Sequence, residues 1–509
     1  MQFTYPTTPL PGAAPVWRGT VNASEWQETA QVVLTQGGRL IAIWGSDWRS
    51  RGAAYAVHAS YATQAGLLWI TLPVQSTFPD LSDLFPVANR MQRALSDMLG
   101  IAAEGTCDPR PWLRHSAWPR HAHPLRHDFD PAHATPGGQD NYAFVPVSGD
   151  GVHEIPVGPV HAGTIEPGHF RFSIIGERVL RLEERLGYAH KGIERRFEQL
   201  TLEEGVRLAG RVSGDSTVAY AWAYSMAVEG AAQVTIPGRA AWLRALCLER
   251  ERVANHLGDL GFVGNDAGLA FGLAQFSRLK EDWLRTNATA FGHRYLMDAV
   301  VPGGMAHDLA REAVGPIVLE ADAVEKDVRA LKAVYDDHAG LQDRFINCGK
   351  VAPELAAKMG LTGLAGRASA QSWDLRTQFG CVPYDQLDVR MVTHRNGDVA
   401  ARVTVRFEEI LESLRLIRII LDGLPDGPHR QALPPVAEGG FGLGWVEGWR
   451  GEVMVALEAG PDGRIARCHP HDPSWQNWPL LEHAVIGNIV PDFPLINKSF
   501  NLSYSGHDL

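Results

Sequence analysis

From Gly187 onward the sequence carries helical patterning for most of its length, and this narrows the fold more than any other feature. The stretch AWLRALCLERERVANHLGDLG sets Leu243, Leu246, Val253, Leu257 and Leu260 at helical spacing. VTVRFEEILESLRLIRIILDGLP repeats the pattern and stops at Gly423 and Pro425, where backbone freedom and a missing donor end a helix. HKGIERRFEQL spaces Ile193, Phe197 and Leu200 along one face, and Thr201 with Glu204 forms a capping box for a further helix. A chain built this way has a large, mainly helical domain. Small sheets stand at its margins. FRFSIIGERVLRL predicts a hairpin about Gly176, with Phe170, Phe172 and Ile174 facing Leu180 and Leu182. RGEVMVALEAGPDGRI predicts strands with a turn at Pro461, Asp462 and Gly463.

Upstream the pattern changes. GRLIAIWGSDW and AGLLWITLPV read as strands, RGAAYAVHASYA as strand or short helix, and VANRMQRALSDMLG as a helix. That helix puts Met91, Leu95, Met98 and Leu99 on one face and ends at Gly100. Residues 130–156 are dense in Pro, Gly, Asp and Asn, as a linker would be. The fold class expected is α+β: a small N-terminal α/β domain, then the large helical one.

The 509 residues are 45% hydrophobic and 21% charged, enough to bury a substantial core. A net charge of -11 opposes nucleic-acid binding, which calls for a basic face. No apolar run is long enough to span a membrane, and MQFTYPTTPLPG lacks the basic and apolar regions of a signal peptide. The five cysteines, Cys107, Cys247, Cys348, Cys381 and Cys468, form no C-x-x-C pair. They read as buried structural thiols, not as disulfides or cluster ligands.

Few segments suggest chemistry. HAHPLRHDF holds His121, His123, His127 and Asp128 in metal-like spacing, but on one short segment broken by Pro124. GLGWVEG has a G-x-G outside any strand–helix unit, so it predicts no dinucleotide site. GPVHAGTIEPGHFRF brackets His161, Glu166 and His169 between Pro and Gly; it is either a proton-passing loop or a polar loop with hydrogen-bonded histidines. In RVSGDSTVAYAWAYSMAVE, Ser213, Asp215 or Ser216 could cap a helix whose Val218, Trp222 and Met226 form one apolar stripe.

Taken in order, GPVHAGTIEPGHFRF, GERVLRLEERLGYAHKGIERRFE, RVSGDSTVAYAWAYSMAVE, ERVANHLGDLG, GRASAQSWDLR, GDVAARVTVRFEEI, RGE and PDFPLINKSF resemble the superfamily of [NiFe]-hydrogenase large subunits and the complex I 49 kDa-type subunit. The branch resembled is that of the group 4, energy-converting enzymes of formate hydrogenlyase and hydrogenase-4 type. FPVANRMQRALSDMLGI and HPLRHDF resemble the complex I 30 kDa-type subunit, although Gln92 and Ala94 replace acidic residues of that pattern. The resemblance implies a 30 kDa-like domain over 1–135, a linker over 136–155 and a hydrogenase-like domain over 156–509.

It also implies a metal site, and the residues deny it. The family's two cysteine pairs fall on Ser213 and Ser216 and on Ser503 and Gly506. Nickel and low-spin iron take soft, bridging thiolates; a protonated hydroxyl is a hard, weak donor and glycine offers none. The expectation is therefore no nickel–iron centre and no metal. By resemblance His161 is the quinone-binding histidine and Glu166 the proton-transfer carboxylate, with Glu194 a further relay. Gly214 stands at the quinone-binding tyrosine position, and Arg367 and Asp374 border the vacated cavity. The implied function is electron transfer, coupled to proton transfer, from an iron–sulfur cluster in a small partner subunit to a quinone or quinone-like acceptor. The cofactor-free chain would sit on the cytoplasmic side of the inner membrane, held by antiporter-like membrane subunits. The alternative is a non-catalytic coupling scaffold. A working [NiFe] hydrogenase, the third reading, is opposed by the missing thiols.

Overall fold

The computed structural model describes the chain except for residues 1–3, 50, 51, 53, 134–137, 139 and 162–164. Part of the predicted linker and part of the His161–Glu166 loop thus lie outside the described residues.

The N-terminal region is a five-stranded sheet. Its strands are β1 (Thr7–Leu10), β2 (Val16–Thr20), β3 (Arg39–Asp47), β4 (Tyr55–Thr63) and β5 (Gly66–Val74), in the order β1-β2-β5-β4-β3. RGAAYAVHASYA resolves as strand β4. Helix α1 (Ala23–Thr35) opens with Asn22 and Glu25 bonding each other's backbone N–H. Helix α2 (Ala88–Leu99) closes with Gly100 in the left-handed region, as predicted. It packs on β3 so closely that a Cβ at Gly45 would lie 2.5 Å from Leu95. Gln92, one of the two departures from the acidic pattern, is buried and accepts the Leu81 N–H at 3.0 Å. HAHPLRHDF straps this unit: His123 bonds the Asp97 carbonyl at 3.2 Å and Arg49 pairs with Asp128 at 2.9 Å.

The predicted hairpin is β7 (His169–Ile175) with β8 (Arg178–Arg185), and β6 (Val152–Val157) adds a third strand from the segment read as a linker. A bulge between Val179 and Arg181 corrects the expected register. Leu180 stays 38% exposed, while Val179 takes the inward position beside Leu182. The Thr201–Glu204 box forms, with both reciprocal bonds present at 3.0 and 3.2 Å, and opens the short α3 (Gly205–Ala209).

Long helices build the core, among them α4 (Thr217–Ala231), α5 (Gly238–Asp266), α6 (Ala270–Phe291) and α7 (Val399–Asp422). An antiparallel sheet of β9 (Phe441–Glu447), β10 (Glu452–Ala459) and β11 (Ile465–His471) lies directly on α4. A Cβ at Gly442 or Gly444 would come within 1.8 Å of an α4 carbonyl, so glycine sets how near the sheet can lie. The expected stripe on α4 is therefore incomplete. Tyr220 and Tyr224 on its other faces are as buried as Trp222 and Met226.

The N-terminal sheet docks on this second sheet. Trp44 stacks on His469 with ring centroids 5.1 Å apart, and Arg467 donates to the Gly45 carbonyl at 2.8 Å. Arg39 pairs with Glu452 at 2.6 Å, and Arg90 reaches Glu184 at 2.9 Å. Cys247, Cys348 and Cys468 are buried and Cys381 half-buried, but Cys107 is exposed, contrary to expectation. Among the described residues no helix is long and apolar enough to cross a membrane, and no three His, Cys, Asp or Glu converge as metal ligands.

Candidate functional site

The site forms where the N-terminus of α4 meets the C-terminal turn of the chain. Ser213 is extended, Gly214–Ser216 make one tight turn, and α4 follows. The first N–H groups of a helix need acceptors. Neither serine supplies one, which corrects the expected cap. Glu251, reaching across from α5, accepts the Val218 N–H at 2.7 Å and the Ala219 N–H at 3.2 Å. Burial pushes its carboxyl up to about 8, while those two N–H groups pull the other way.

The serines are engaged elsewhere. Ser213 Oγ lies 2.8 Å from Ser503 Oγ, across 290 residues of sequence. Ser213 also donates to Asp215 Oδ1 at 2.8 Å, so the Ser503 hydroxyl is left to donate to Ser213. Ser503 Oγ in turn accepts the Gly506 N–H at 2.9 Å. Asp215 is clamped by both terminal nitrogens of Arg450, at 2.8 and 2.5 Å, and Arg450 Nη1 also reaches Ser216 Oγ at 3.2 Å. Burial alone would raise the Asp215 carboxyl, but the guanidinium and the Ser213 hydroxyl hold it at about 2. Beside Gly506, Asp472 accepts from Tyr220 at 2.7 Å. All four positions read as lost metal ligands thus meet, the three serines each at most 5% exposed.

At the rim, Glu166 accepts the Ser505 N–H at 3.0 Å and the Ser505 hydroxyl. The residue is exposed as a whole, yet desolvation of its carboxyl raises the pKa. Lys191 donates to the Val212 carbonyl at 3.1 Å from the same side. His161 is half-buried, with Nε2 2.9 Å from the Gly168 carbonyl. Gly214 is exposed, and a Cβ there would meet only Met297, at 3.6 Å.

Three expected residues lie apart. Glu194 is bonded to Arg467 at 2.5 Å and His469 at 2.8 Å in the seam between the two sheets. Burial opposes its charge, but Arg467 and His469 bring the carboxyl down to about 2. Arg367 and Asp374 are 0% exposed and engaged by counter-charges. Arg367 pairs with Glu409 and Glu447, each at 2.7 Å, and Asp374 with Arg376 at 2.7 Å. Arg252 ties this ion network to the site by donating to the carbonyls of Glu447 and Gly448, just before Arg450. Sequence reasoning missed Glu251, Asp472, Tyr220 and Lys191 as parts of the site. Arg450 had a signal as the arginine of RGE, and Glu251, Tyr220 and Lys191 lie within ERVANHLGDLG, RVSGDSTVAYAWAYSMAVE and GERVLRLEERLGYAHKGIERRFE; Asp472 had none.

Comparison with known proteins places this geometry. Residues 19–135 match the family described as the respiratory-chain NADH dehydrogenase 30 Kd subunit, and residues 266–440 the 49 Kd subunit. Formate hydrogenlyase subunit 5 of Escherichia coli strain K12 is 30% identical over 517 residues, covering 96% of this chain and 91% of the relative. The chain belongs to the complex I 49/30 kDa and hydrogenase large-subunit family. Hydrogenase-4 component G of the same organism is 29% identical, covering 92% of this chain and 84% of the relative. The C/D component of the NADH-quinone oxidoreductase of Bacteroides thetaiotaomicron is 27% identical over 77% of each chain. A chain in the structure of the membrane-bound sulfane sulfur reductase, an archaeal respiratory membrane complex, shares the fold. Its TM-score is 0.67 at 23% identity, covering 72% of this chain and all of the other.

Hydrogenases of this family are expected to hold nickel and iron where Ser213, Ser216, Ser503 and Gly506 stand, and these residues do not fit the group. Two of the hydroxyls are in mutual hydrogen-bond contact, and all three serines already have partners. A Cβ at Gly506 would lie 2.4 Å from Asp472 Oδ2 and 3.0 Å from Ser503 Oγ, so a cysteine there would require the Asp472 carboxylate to move. The place expected to be a vacated cavity is filled by Arg450, Asp215 and Asp472.

Proposed function

We propose that this chain is the metal-free, hydrogenase-like subunit of a membrane-associated respiratory or energy-converting redox complex. In it, electrons from an iron–sulfur cluster of a small neighbouring subunit reach a quinone or quinone-like acceptor. The carrying observation is the contrast between a closed interior and an open rim: Ser213 and Ser503 seal the former metal position, while Glu166 and Gly214 remain exposed beside it. The acceptor sits at this rim, not in the interior. Val160 and Ile165, 89% and 51% exposed on the His161–Glu166 loop, offer apolar surface for its ring.

Reduction of a quinone takes two electrons and two protons. Glu166, with its raised pKa and open position, supplies protons at the rim. His161 donates through Nε2 to the Gly168 carbonyl, which leaves Nδ1 as its second hydrogen-bonding atom. Once protonated, that nitrogen donates to a quinone oxygen. The membrane-bound setting named for the sulfane sulfur reductase supports membrane association; a peripheral position on the cytoplasmic face, held by antiporter-like membrane subunits, is part of the proposal.

The test is quinone reductase activity of the purified complex. His161→Ala and Glu166→Gln each lower turnover about 10²-fold if these groups act in the chemistry. The closed, hydrogen-bonded interior also favours a second reading, a coupling scaffold without chemistry of its own. Wild-type turnover in both variants would establish that reading instead. Stoichiometric nickel with hydrogen uptake would overturn both.

A further inference from the structure

A groove of about 650 Å³ runs along α4 from Trp222 to Glu229, toward the end of that helix opposite the candidate site. Three segments wall it: residues 11–13 ahead of β2, the α4–α5 connection over 233–238, and residues 380–385. Each wall is anchored. The first crosses α4 at Gly230, where a Cβ would lie 2.6 Å from the Pro11 carbonyl. The second is tied down by Gln431, whose amide donates to the Thr235 carbonyl at 2.7 Å. In the third, Tyr384 donates to Glu249 at 2.6 Å and stacks toward Trp222, with ring centroids 6.2 Å apart. A groove with three anchored walls is preformed, and its volume is that of a pocket for a small organic molecule.

The lining sets the chemistry. Met226, Val234, Ile236, Ala241 and Val382 supply apolar surface. Glu229 and Arg244 also reach the groove, but they pair with each other at 2.6 Å and bond the backbone of Val301, Gly303 and Gly304, so together they present no net charge. Asp385, exposed at the edge, opposes an anionic ligand. Trp222 is only 2% exposed, yet its Nε1 N–H has no hydrogen-bond partner among the described residues. The indole nitrogens of Trp373 and Trp445 are unpartnered and sealed, whereas that of Trp222 keeps accessible surface, and the groove is what Trp222 lines. A buried indole N–H ordinarily has an acceptor. A ligand oxygen in the groove supplies one.

We propose that this groove binds a compact, uncharged, mainly apolar molecule bearing a carbonyl oxygen. The oxygen accepts the Trp222 N–H, and the body of the molecule covers the apolar lining. Nothing in this depends on electron transfer at the rim, so either reading can fail while the other stands.

Fluorenone and fluorene, titrated into the full chain by calorimetry, test it. They share a flat tricyclic frame and differ by a carbonyl against a methylene. Fluorenone should bind about tenfold tighter, and Trp222→Phe, which keeps an apolar ring and removes the N–H, should erase that preference. A crystal structure of the unaltered chain with fluorenone should place its oxygen about 2.7–3.2 Å from Trp222 Nε1, which decides the matter even where the variant does not fold. Equal affinities in the unaltered chain, binding of neither compound, or fluorenone seated elsewhere overturns the proposal. Monomeric dihexanoyl phosphatidylcholine carries the same acceptor on acyl chains beside a phosphate and should bind more weakly than fluorenone. Tighter binding of that lipid would assign the groove to an acyl chain and overturn the compact ligand.

Discussion

Two buried polar clusters lie side by side in this molecule and are built differently. Around Ser213 there is one ion pair, Asp215 with Arg450, extended by hydroxyls and a backbone N–H that each make single hydrogen bonds. Around Arg367 full charges dominate: Arg367, Arg376 and Arg252 interleave with Asp374, Glu249, Glu409 and Glu447, and Tyr384, Ser413 and His256 add hydrogen bonds to the carboxylates. The first cluster ends at an exposed rim and the second is sealed. A network of full charges fixes one arrangement, since losing any member strands another in a low dielectric. A chain of hydroxyls can be rearranged at the expense of about 1 kcal/mol per bond. The charged network therefore serves as scaffold, and the hydroxyl cluster, with its rim, is the part that can rearrange.

The largest expected effect breaks the scaffold. Arg367→Met leaves Glu409 and Glu447 without their shared cation and should lower unfolding free energy by about 3–5 kcal/mol, read in denaturant. A loss below about 1 kcal/mol would mean that the network is not the rigid partner in the comparison. Next comes the remote cap. Glu251→Ala strips two α4 N–H groups of their acceptor and should cost about 2 kcal/mol. Glu251→Gln, which keeps an acceptor oxygen and matches a carboxyl raised to about 8, should cost less than half of that.

A third expectation concerns acid. Burial, with His469 nearby, holds His471 at about 3 against an ordinary 6.5. Between those values the unfolded chain binds a proton that the folded chain refuses. Stability is therefore complete above about 6.5 and falls as the pH drops toward 3, by ~1.4 kcal/mol per pH unit for this group. His471→Asn should flatten the measured slope between pH 6 and pH 5 by one proton; an unchanged slope would show that His471 already charges in the folded state. The smallest effect sharpens the hydroxyl side. A double-mutant cycle of Ser213→Ala and Ser503→Ala should give a coupling of about 0.5–1.5 kcal/mol, whereas zero coupling would mean that the two halves of the site merely lie near each other.

Much of the framework was legible because it is local. α5 and α7 follow from apolar spacing within four residues, Gly100 marks the end of α2, and the Thr201–Glu204 box spans a single turn. The correspondence of Ser213 with Ser503 was also readable through resemblance, and the two hydroxyls do meet. Less was legible where a tertiary partner decides. Leu180 alternates correctly in sequence, but the bulge turns it outward. Ser216 looks like a cap, but Glu251 arrives first. Arg367 and Asp374 read as cavity residues and are sealed among counter-charges.

By itself, then, the sequence determined the helical periods, the turn positions and the absence of sulfur at Ser213, Ser216, Ser503 and Gly506, because each depends on residue type or near-neighbour spacing. Only the tertiary structure decided what surrounds these four positions. Arg450, Asp472 and Glu251 come from a turn after β9, the end of β11 and the middle of α5, and no local pattern carries their approach. Their convergence is set by the path of the whole chain and by the need of buried charges and helix-end N–H groups for partners once water is excluded.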